Sequence, residues 1–378
     1  MTTEQVFLAH CSVSPLHQAA LLEAERFLRS HAEKGIGVFR EFPDVLGGLR
    51  ASIARMLQVA DADVAVVTNT SVGLSMVANG YTFSPGDEVI CYAHEYPANF
   101  HPWQSLERLG VKLVLLEDAS CGVGSREARP QGWSFEALRR RVTPRTRMLA
   151  ISHVQYTSGF TSDLELLGAF CREQQIDLVV DAAQSLGVLP LYPARWNVAA
   201  VAASGWKWLL GPLGVGILYA APAFRDKLRP TLYGADMMQQ QSDYSDLSWN
   251  PYPDARQFQF STQPYALAAG LQAAVDACFA GESMEAIRDR VLQLQDQLLA
   301  ELDPGLFTPL RLEPPQRSGI LSCTVEGDLQ RIATLAAQHG VTVVPRGNYL
   351  RLAPHFYQRA EQMLRAAAVL NEAAHRAS

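Results

Sequence analysis

The chain has 378 residues, 48% of them hydrophobic and 19% charged, and a formal net charge of -6. Those values describe a globular protein of about two or three domains that can bury a core without disulfide or metal staples. The mild acidity, with no run of like charge, excludes an electrostatic surface for nucleic acid or anionic membrane.

The first residues, Met1 to Gln18, lack a basic stretch followed by an apolar one, so no signal peptide is expected. No apolar run reaches the ~20 residues that cross a bilayer. Cys11, Cys91, Cys121, Cys171, Cys278 and Cys323 lie far apart with no CxxC pair. They read as reduced, mostly buried thiols, with no zinc site, and point to a cytoplasmic protein.

In chain order, short β-branched runs predict strands at Ala65–Thr68, Glu88–Tyr92, Lys112–Leu116, Met148–Ser152, Leu178–Asp181, Ala199–Ala203 and Val215–Tyr219. Most are continuous apolar runs, the pattern of strands covered on both faces. Helical periodicity lies between them at Ser134–Arg141 and Leu164–Gln174. This alternation predicts an α/β fold with a mostly parallel seven-stranded sheet flanked by helices. Residues 232–257, rich in Tyr, Asp, Gln, Pro and Ser, read as an irregular loop. After it the spacing predicts helices Pro264–Phe279 and Met284–Leu302, strand Gly319–Val325 and helix Leu329–His339. Strands Val341–Val344 and Tyr349–Leu352 and helix Tyr357–Glu372 complete a smaller α+β unit.

Four places carry chemistry. Lys207, in Ser204-Gly-Trp-Lys-Trp208, closes an apolar run between two tryptophans. Burial would lower its pKa and suit it to a Schiff base, although a surface lysine at a strand end has the same sequence. The glycines of Gly211–Gly216 add little by themselves. Asp181 closes the run Leu178–Asp181, where α/β sheets bind ligands; it could also be a helix N-cap. Thr70 and Ser71, after a strand and at a helix start, offer hydroxyls and free N–H groups to a phosphate, or serve as ordinary caps. Tyr96, in Ala93-His-Glu-Tyr-Pro-Ala-Asn99, could stack on a flat ring or pack under its loop. All four fall at C-terminal ends of predicted strands. One planar, phosphorylated, lysine-bound cofactor, pyridoxal 5′-phosphate (PLP), accounts for them together.

With these residues in view, the chain resembles fold-type I PLP enzymes of the class V aminotransferase group, which includes cysteine desulfurases, kynureninases and isopenicillin-N-epimerase-like proteins. The match runs from Phe7-Leu-Ala-His-Cys-Ser-Val-Ser-Pro15 to Leu350-Arg-Leu-Ala-Pro-His-Phe-Tyr357. Ser204-Gly-Trp-Lys-Trp-Leu-Leu-Gly-Pro212 and Asp181-Ala-Ala-Gln184 carry it most specifically. The resemblance implies that Lys207 forms the Schiff base and shuttles the proton. It gives Asp181 to the pyridine nitrogen, Gln184 to the ring hydroxyl or imine region, and Tyr96 to the ring face. Thr70, Ser71 and Ser204 would hold the phosphate. Thr262, in Phe260-Ser-Thr-Gln263, would reach the phosphate of a partner subunit, which implies a homodimer with shared sites. Arg351 would clamp the substrate carboxylate. Gln155 and Asn99 would stand near the substrate, and His153 would be structural.

The resemblance also implies a large PLP-binding domain over residues 17–255. The small domain would combine 1–16 with 256–378, with helix 264–279 free to pack on the large one.

Two departures bear on the reaction. Desulfurases place a cysteine shortly before the carboxylate arginine, and residues 341–350 have none; Cys323, on a predicted strand, is a poor substitute. Trp206 stands where His or Tyr often binds phosphate, and indole donates one hydrogen bond and accepts none. The expected activity is that of an enzyme acting on a small α-amino acid, with transamination first. The alternatives are a Cβ-cleaving lyase, an epimerase, and a catalytically silent relative that only binds.

Overall fold

The computed structural model describes residues 5–120, 129–240 and 242–377. Cys121 and the first four residues of the expected small domain lie outside them.

Seven strands form one sheet. In spatial order they are Val64–Val67, Gly216–Ala220, Ala200–Ser204, Asp177–Asp181, Thr146–Ser152, Glu88–Tyr92 and Lys112–Leu116. Each was predicted within two residues. Only Gly216–Ala220 runs against its neighbours. It follows Ser204 after a short connection, and a parallel return would need a crossover of a dozen residues or more. The inner strands are buried on both faces, and their side chains feed two hydrophobic clusters. The edge strand Lys112–Leu116 is only partly covered and begins on an exposed lysine, which discourages pairing with another edge.

The smaller unit has an antiparallel sheet ordered Val344–Arg346, Tyr349–Leu352, Leu321–Val325 and Phe307–Pro309. Its core includes Leu294 and Leu298 from helix Met284–Glu301 and Met363 and Leu370 from helix Ala360–Ala377. The N-terminal strand Val6–Phe7 pairs in parallel with Val341–Thr342, so the arm joins this unit. Helix Tyr265–Phe279 instead shares the main-sheet core through Leu271, Val275 and Phe279.

Several expectations need correction. The single strand expected over Val341–Val344 is two, Val341–Thr342 and Val344–Arg346, which belong to different sheets. The last helix begins at Ala360 rather than Tyr357. Tyr357 faces His10 Nε2 at 2.7 Å, and Gln358 accepts from the His355 N–H, which fixes a non-helical turn there. Helices Gln18–Lys34 and Val45–Leu57 and strand Phe307–Pro309 were not foreseen. Among the described residues no helix is long and apolar enough to cross a membrane.

Candidate active site

All main-sheet strands except Gly216–Ala220 end on the same side. Their C-terminal ends, with the N-terminal arm and the small sheet, enclose a cavity of about 550 Å³, a size suited to a small ligand. Its wall includes Thr70, Ser71, Tyr96, Asp181, Gln184, Ser204, Lys207 and Arg351, residues up to 281 positions apart in sequence.

One end is built on helix Thr70–Gly80. Its cap is Asn69, whose side chain accepts from the Val72 N–H at 2.9 Å. Capping by Thr70 or Ser71 is therefore not needed. Thr70 Oγ1 lies 2.7 Å from Ser204 Oγ, which also accepts from the Thr70 N–H at 3.1 Å. Ser71 is exposed on the cavity wall. Hydroxyls beside a helix N-terminus make an anion cradle. Trp206, half-buried on the same wall, brings one N–H donor.

Lys207 sits on the turn that leaves strand Ala200–Ser204. The Gly211 N–H donates to Gly205 O and the Leu210 N–H to Lys207 O, closing the turn with Leu210 at φ 56°. A leucine in the left-handed region is strained, and the surrounding bonds hold it there. The two tryptophans divide their work. Trp206 faces the cavity, while Trp208 is fully buried and donates from Nε1 to Gln184 Oε1 at 3.1 Å. Gln184 Nε2 in turn donates to Cys11 O at 2.8 Å, pinning the arm over the site.

Burial pushes the Lys207 ammonium below its usual range; nearby Asp181 opposes this, and Arg351 and Arg346 add to it. The Lys207 Nζ lies 5.6 Å from the centre of the Tyr96 ring. Burial raises the Asp181 carboxyl, against the pull of the Ala183 N–H and of Lys207. Asp181 Oδ1 accepts from Ala183 N at 2.8 Å, a local turn bond. That leaves Oδ2 without a bonded partner among the described residues.

Arg351 is 1% exposed. Its Nη1 donates to Tyr156 O at 2.7 Å, and its Nε has no partner. No carboxylate pairs with it among the described residues, and burial holds its guanidinium below the usual range. A buried, unpaired cation is costly unless an anion arrives.

Two expected substrate contacts stand elsewhere. Gln155 is buried behind the wall, its Nε2 donating to Glu95 Oε1 at 2.9 Å. Asn99 is fully buried, its Oδ1 accepting from Trp103 Nε1 at 3.0 Å. Neither lines the cavity, because Val154, Tyr156 and Ala98 take those positions on the wall. Thr262 is also off its own chain's cavity wall. His153 is buried, and burial brings it down to about 3.

Sequence reasoning missed three groups. Cys11 lines the cavity, and burial raises its thiol. Arg346 lies on the rim. Glu95 sits behind the wall, taking bonds from the Ser152 N–H at 2.7 Å, from the Ser152 hydroxyl and from Gln155. Burial lifts its carboxyl to about 7. Cys323 lies in the small-unit core, away from the cavity, and burial pushes its thiol up to about 12.

This set of groups meets the needs of a phosphorylated pyridine aldehyde: an anion cradle, a ring, a buried acid and a lysine of lowered basicity. The family model for class-V aminotransferases matches residues 13–373. The chain belongs to the class-V aminotransferase family. Its cofactor is PLP, and it is an enzyme of the lyase or transferase kind.

Isopenicillin N epimerase of Streptomyces clavuligerus is 28% identical, covering 95% of this chain and 92% of that protein. An uncharacterized aminotransferase of Bacillus subtilis, YcbU, is 26% identical, covering 94% and 91%. A probable cysteine desulfurase of Pyrococcus abyssi is 28% identical over 61% of this chain; the match spans 57% of that relative's length. Among solved structures, the cystine C–S lyase C-DES, in complex with its product cysteine persulfide, superposes with a TM-score of 0.87 at 22% identity, covering 97% of both chains. That likeness establishes the fold.

Proposed function

We propose that this chain is a PLP-dependent Cβ-lyase, cleaving a leaving group from the β-carbon of a small α-amino acid. The observation that carries the reading is the meeting of Lys207, Asp181 and the unpaired Arg351 on one cavity wall. Lys207 would hold the cofactor aldehyde through its ε-amine. Thr70, Ser71, Ser204 and the Trp206 N–H would take the phosphate, Tyr96 would cover the ring, and Asp181 would meet the ring nitrogen. Gln184, held between Cys11 and Trp208, braces the wall beside it. Bound there, PLP supplies the electron sink that makes the substrate's Cα proton acidic.

The chain's own residues do the rest. Arg351 fixes the α-carboxylate through a planar fork. With its ε-amine free, Lys207 would be the general base placed to take the Cα proton. Burial lowers its basicity, which favours the neutral amine that a general base needs. The Tyr156 hydroxyl and the Cys11 thiol, both kept protonated by burial, are the donors available to a departing group.

These donors, and relatives named as cysteine desulfurases, favour the lyase over the transamination expected first from the sequence. A desulfurase-type sulfur transfer to the enzyme is not part of the reading, because residues 341–350 carry no cysteine and Cys323 is sealed in a core. The reading includes a homodimer, in which Thr262 serves the partner's phosphate site. It also includes a cytoplasmic home, which the five free described cysteines favour.

The test is a substrate panel. Cystine, β-chloroalanine and S-alkylcysteines should release ammonia and pyruvate with repeated turnover. Stoichiometric pyridoxamine phosphate with a keto acid, and no loss of the β-substituent, would replace the lyase with a transaminase.

A further inference from the structure

The cavity holds one more cation than this reaction uses. Lys207 and Asp181 offset each other, and Arg351 awaits the α-carboxylate. Arg346 remains, on the wall and exposed, with no carboxylate partner among the described residues.

Its placement is set by the backbone. Strands Val344–Arg346 and Tyr349–Leu352 pair antiparallel, with Val344 opposite Arg351 and Arg346 opposite Tyr349. Side chains two apart on a strand share a face, so Arg346 lies on the face of Val344 and therefore of Arg351. The two arginines are diagonal cross-strand neighbours, roughly 7–8 Å apart at the backbone. The loop between the strands is Gly347-Asn348, with Gly347 at φ 56°, so a tight hairpin fixes the spacing.

Like charges placed this way repel, and Arg346 does depress the Arg351 guanidinium. The same charge reaches Lys207, Cys11 and Tyr156, so it acts inside the cavity. A surface arginine serving only solubility has no reason to stand there.

Resting on the reading above, we infer that Arg346 forms a second anion subsite, and that the preferred substrate carries a second carboxylate on its β-leaving group. Arg351 takes the α-carboxylate, and Arg346 takes the distal one near the rim. The distal group needs no burial, which agrees with the exposure of Arg346.

Two arms test this on the holoenzyme. The first compares kcat/KM for S-carboxyethylcysteine and its neutral analogue S-propylcysteine. The second measures glutarate and butyrate binding by calorimetry, with no turnover required. The acid-to-neutral ratio should be about tenfold or more in each arm, the value of one charge-assisted hydrogen bond. Arg346→Ala should bring both ratios near one, and Arg346→Lys should restore part of each. Because Arg346 is exposed and unbonded, the variants should keep the parent's melting temperature.

The inference is overturned if Arg346→Ala weakens acidic and neutral ligands by the same factor, which would make Arg346 a second clamp on the α-carboxylate. It is equally overturned if the variant changes neither ratio. If no substrate turns over but glutarate still outbinds butyrate through Arg346, the lyase reading fails and the subsite stands.

Discussion

The Glu95 carboxyl lies behind the cavity wall, held by Ser152 and Gln155. Its folded pKa of about 7 is above the ordinary value of 4.5. A raised carboxyl favours the folded state most below its unfolded pKa, and that advantage is lost as pH rises through the folded one. Stability from this group should therefore fall between about pH 4.5 and 7, by at most about 3 kcal/mol. Glu95→Gln, whose amide needs no proton, should flatten the difference between urea midpoints at pH 5 and pH 8. An unchanged difference would show that Glu95 does not titrate there. Glu95 was illegible as a site group because its burial depends on residues 57 and 60 positions away. Asp181 and Lys207 were legible because Asp181 closes an apolar strand and Lys207 follows one by three residues, where the chain emerges at the C-terminal edge of the sheet. Gln155 and Asn99 were placed from a resemblance, and the loop after strand Thr146–Ser152 and the turn Pro97–Asn99 put Val154, Tyr156 and Ala98 on the wall in their stead.

Among the elements, helix Thr70–Gly80 opens on the cavity wall at the proposed phosphate end of the site. Gly73 lies in its first turn, and a Cβ there would sit 3.0 Å from Ala202 Cβ on the adjoining strand. Gly73→Val should lift the turn from the sheet, cost about 1–3 kcal/mol, and weaken PLP affinity in a cofactor titration. Parent-like PLP affinity would mean that this turn does not hold the phosphate. The strands were readable because fully buried strands are continuous apolar runs. Helix Gln18–Lys34 was not, because exposed Leu21, Leu22 and Leu28 blur its apolar face. Helix Val45–Leu57 hides behind Gly47 and Gly48, and a Cβ on Gly48 would strike the Gln272 side chain of a neighbouring helix. Strand Phe307–Pro309 ends in a proline, which a sheet tolerates at its edge.

Across the whole molecule, the site exists only because the main sheet, the N-terminal arm and the small sheet meet. Ser322 Oγ donates to Thr157 O, and Gly159, at φ 76°, passes so close to Ile320 O that a Cβ would lie 2.3 Å from it. The arm adds Cys11 and His10, whose Nδ1 lies 2.7 Å from Ala353 O. Such long-range closure could not be read from local patterns; only the order of the motifs hinted at it. Tyr233, Tyr244, Leu247 and Trp249 are exposed in the loop expected over 232–257, and in the proposed homodimer a second copy of the chain would cover them. Light scattering should give the mass of two chains, and a stable monomer with full activity would remove Thr262 from the proposed phosphate site.

The cofactor's attachment can be tested most directly by borohydride reduction of the yellow holoenzyme followed by peptide mapping. The chain has only four lysines, Lys34, Lys112, Lys207 and Lys227. Lys34 and Lys227 are held in ion pairs and Lys112 is exposed at the sheet edge. A pyridoxyl group is expected on Lys207 alone, with the labelled peptide lost in Lys207→Ala. An unmodified Lys207, or label spread over the other three, would contradict that attachment.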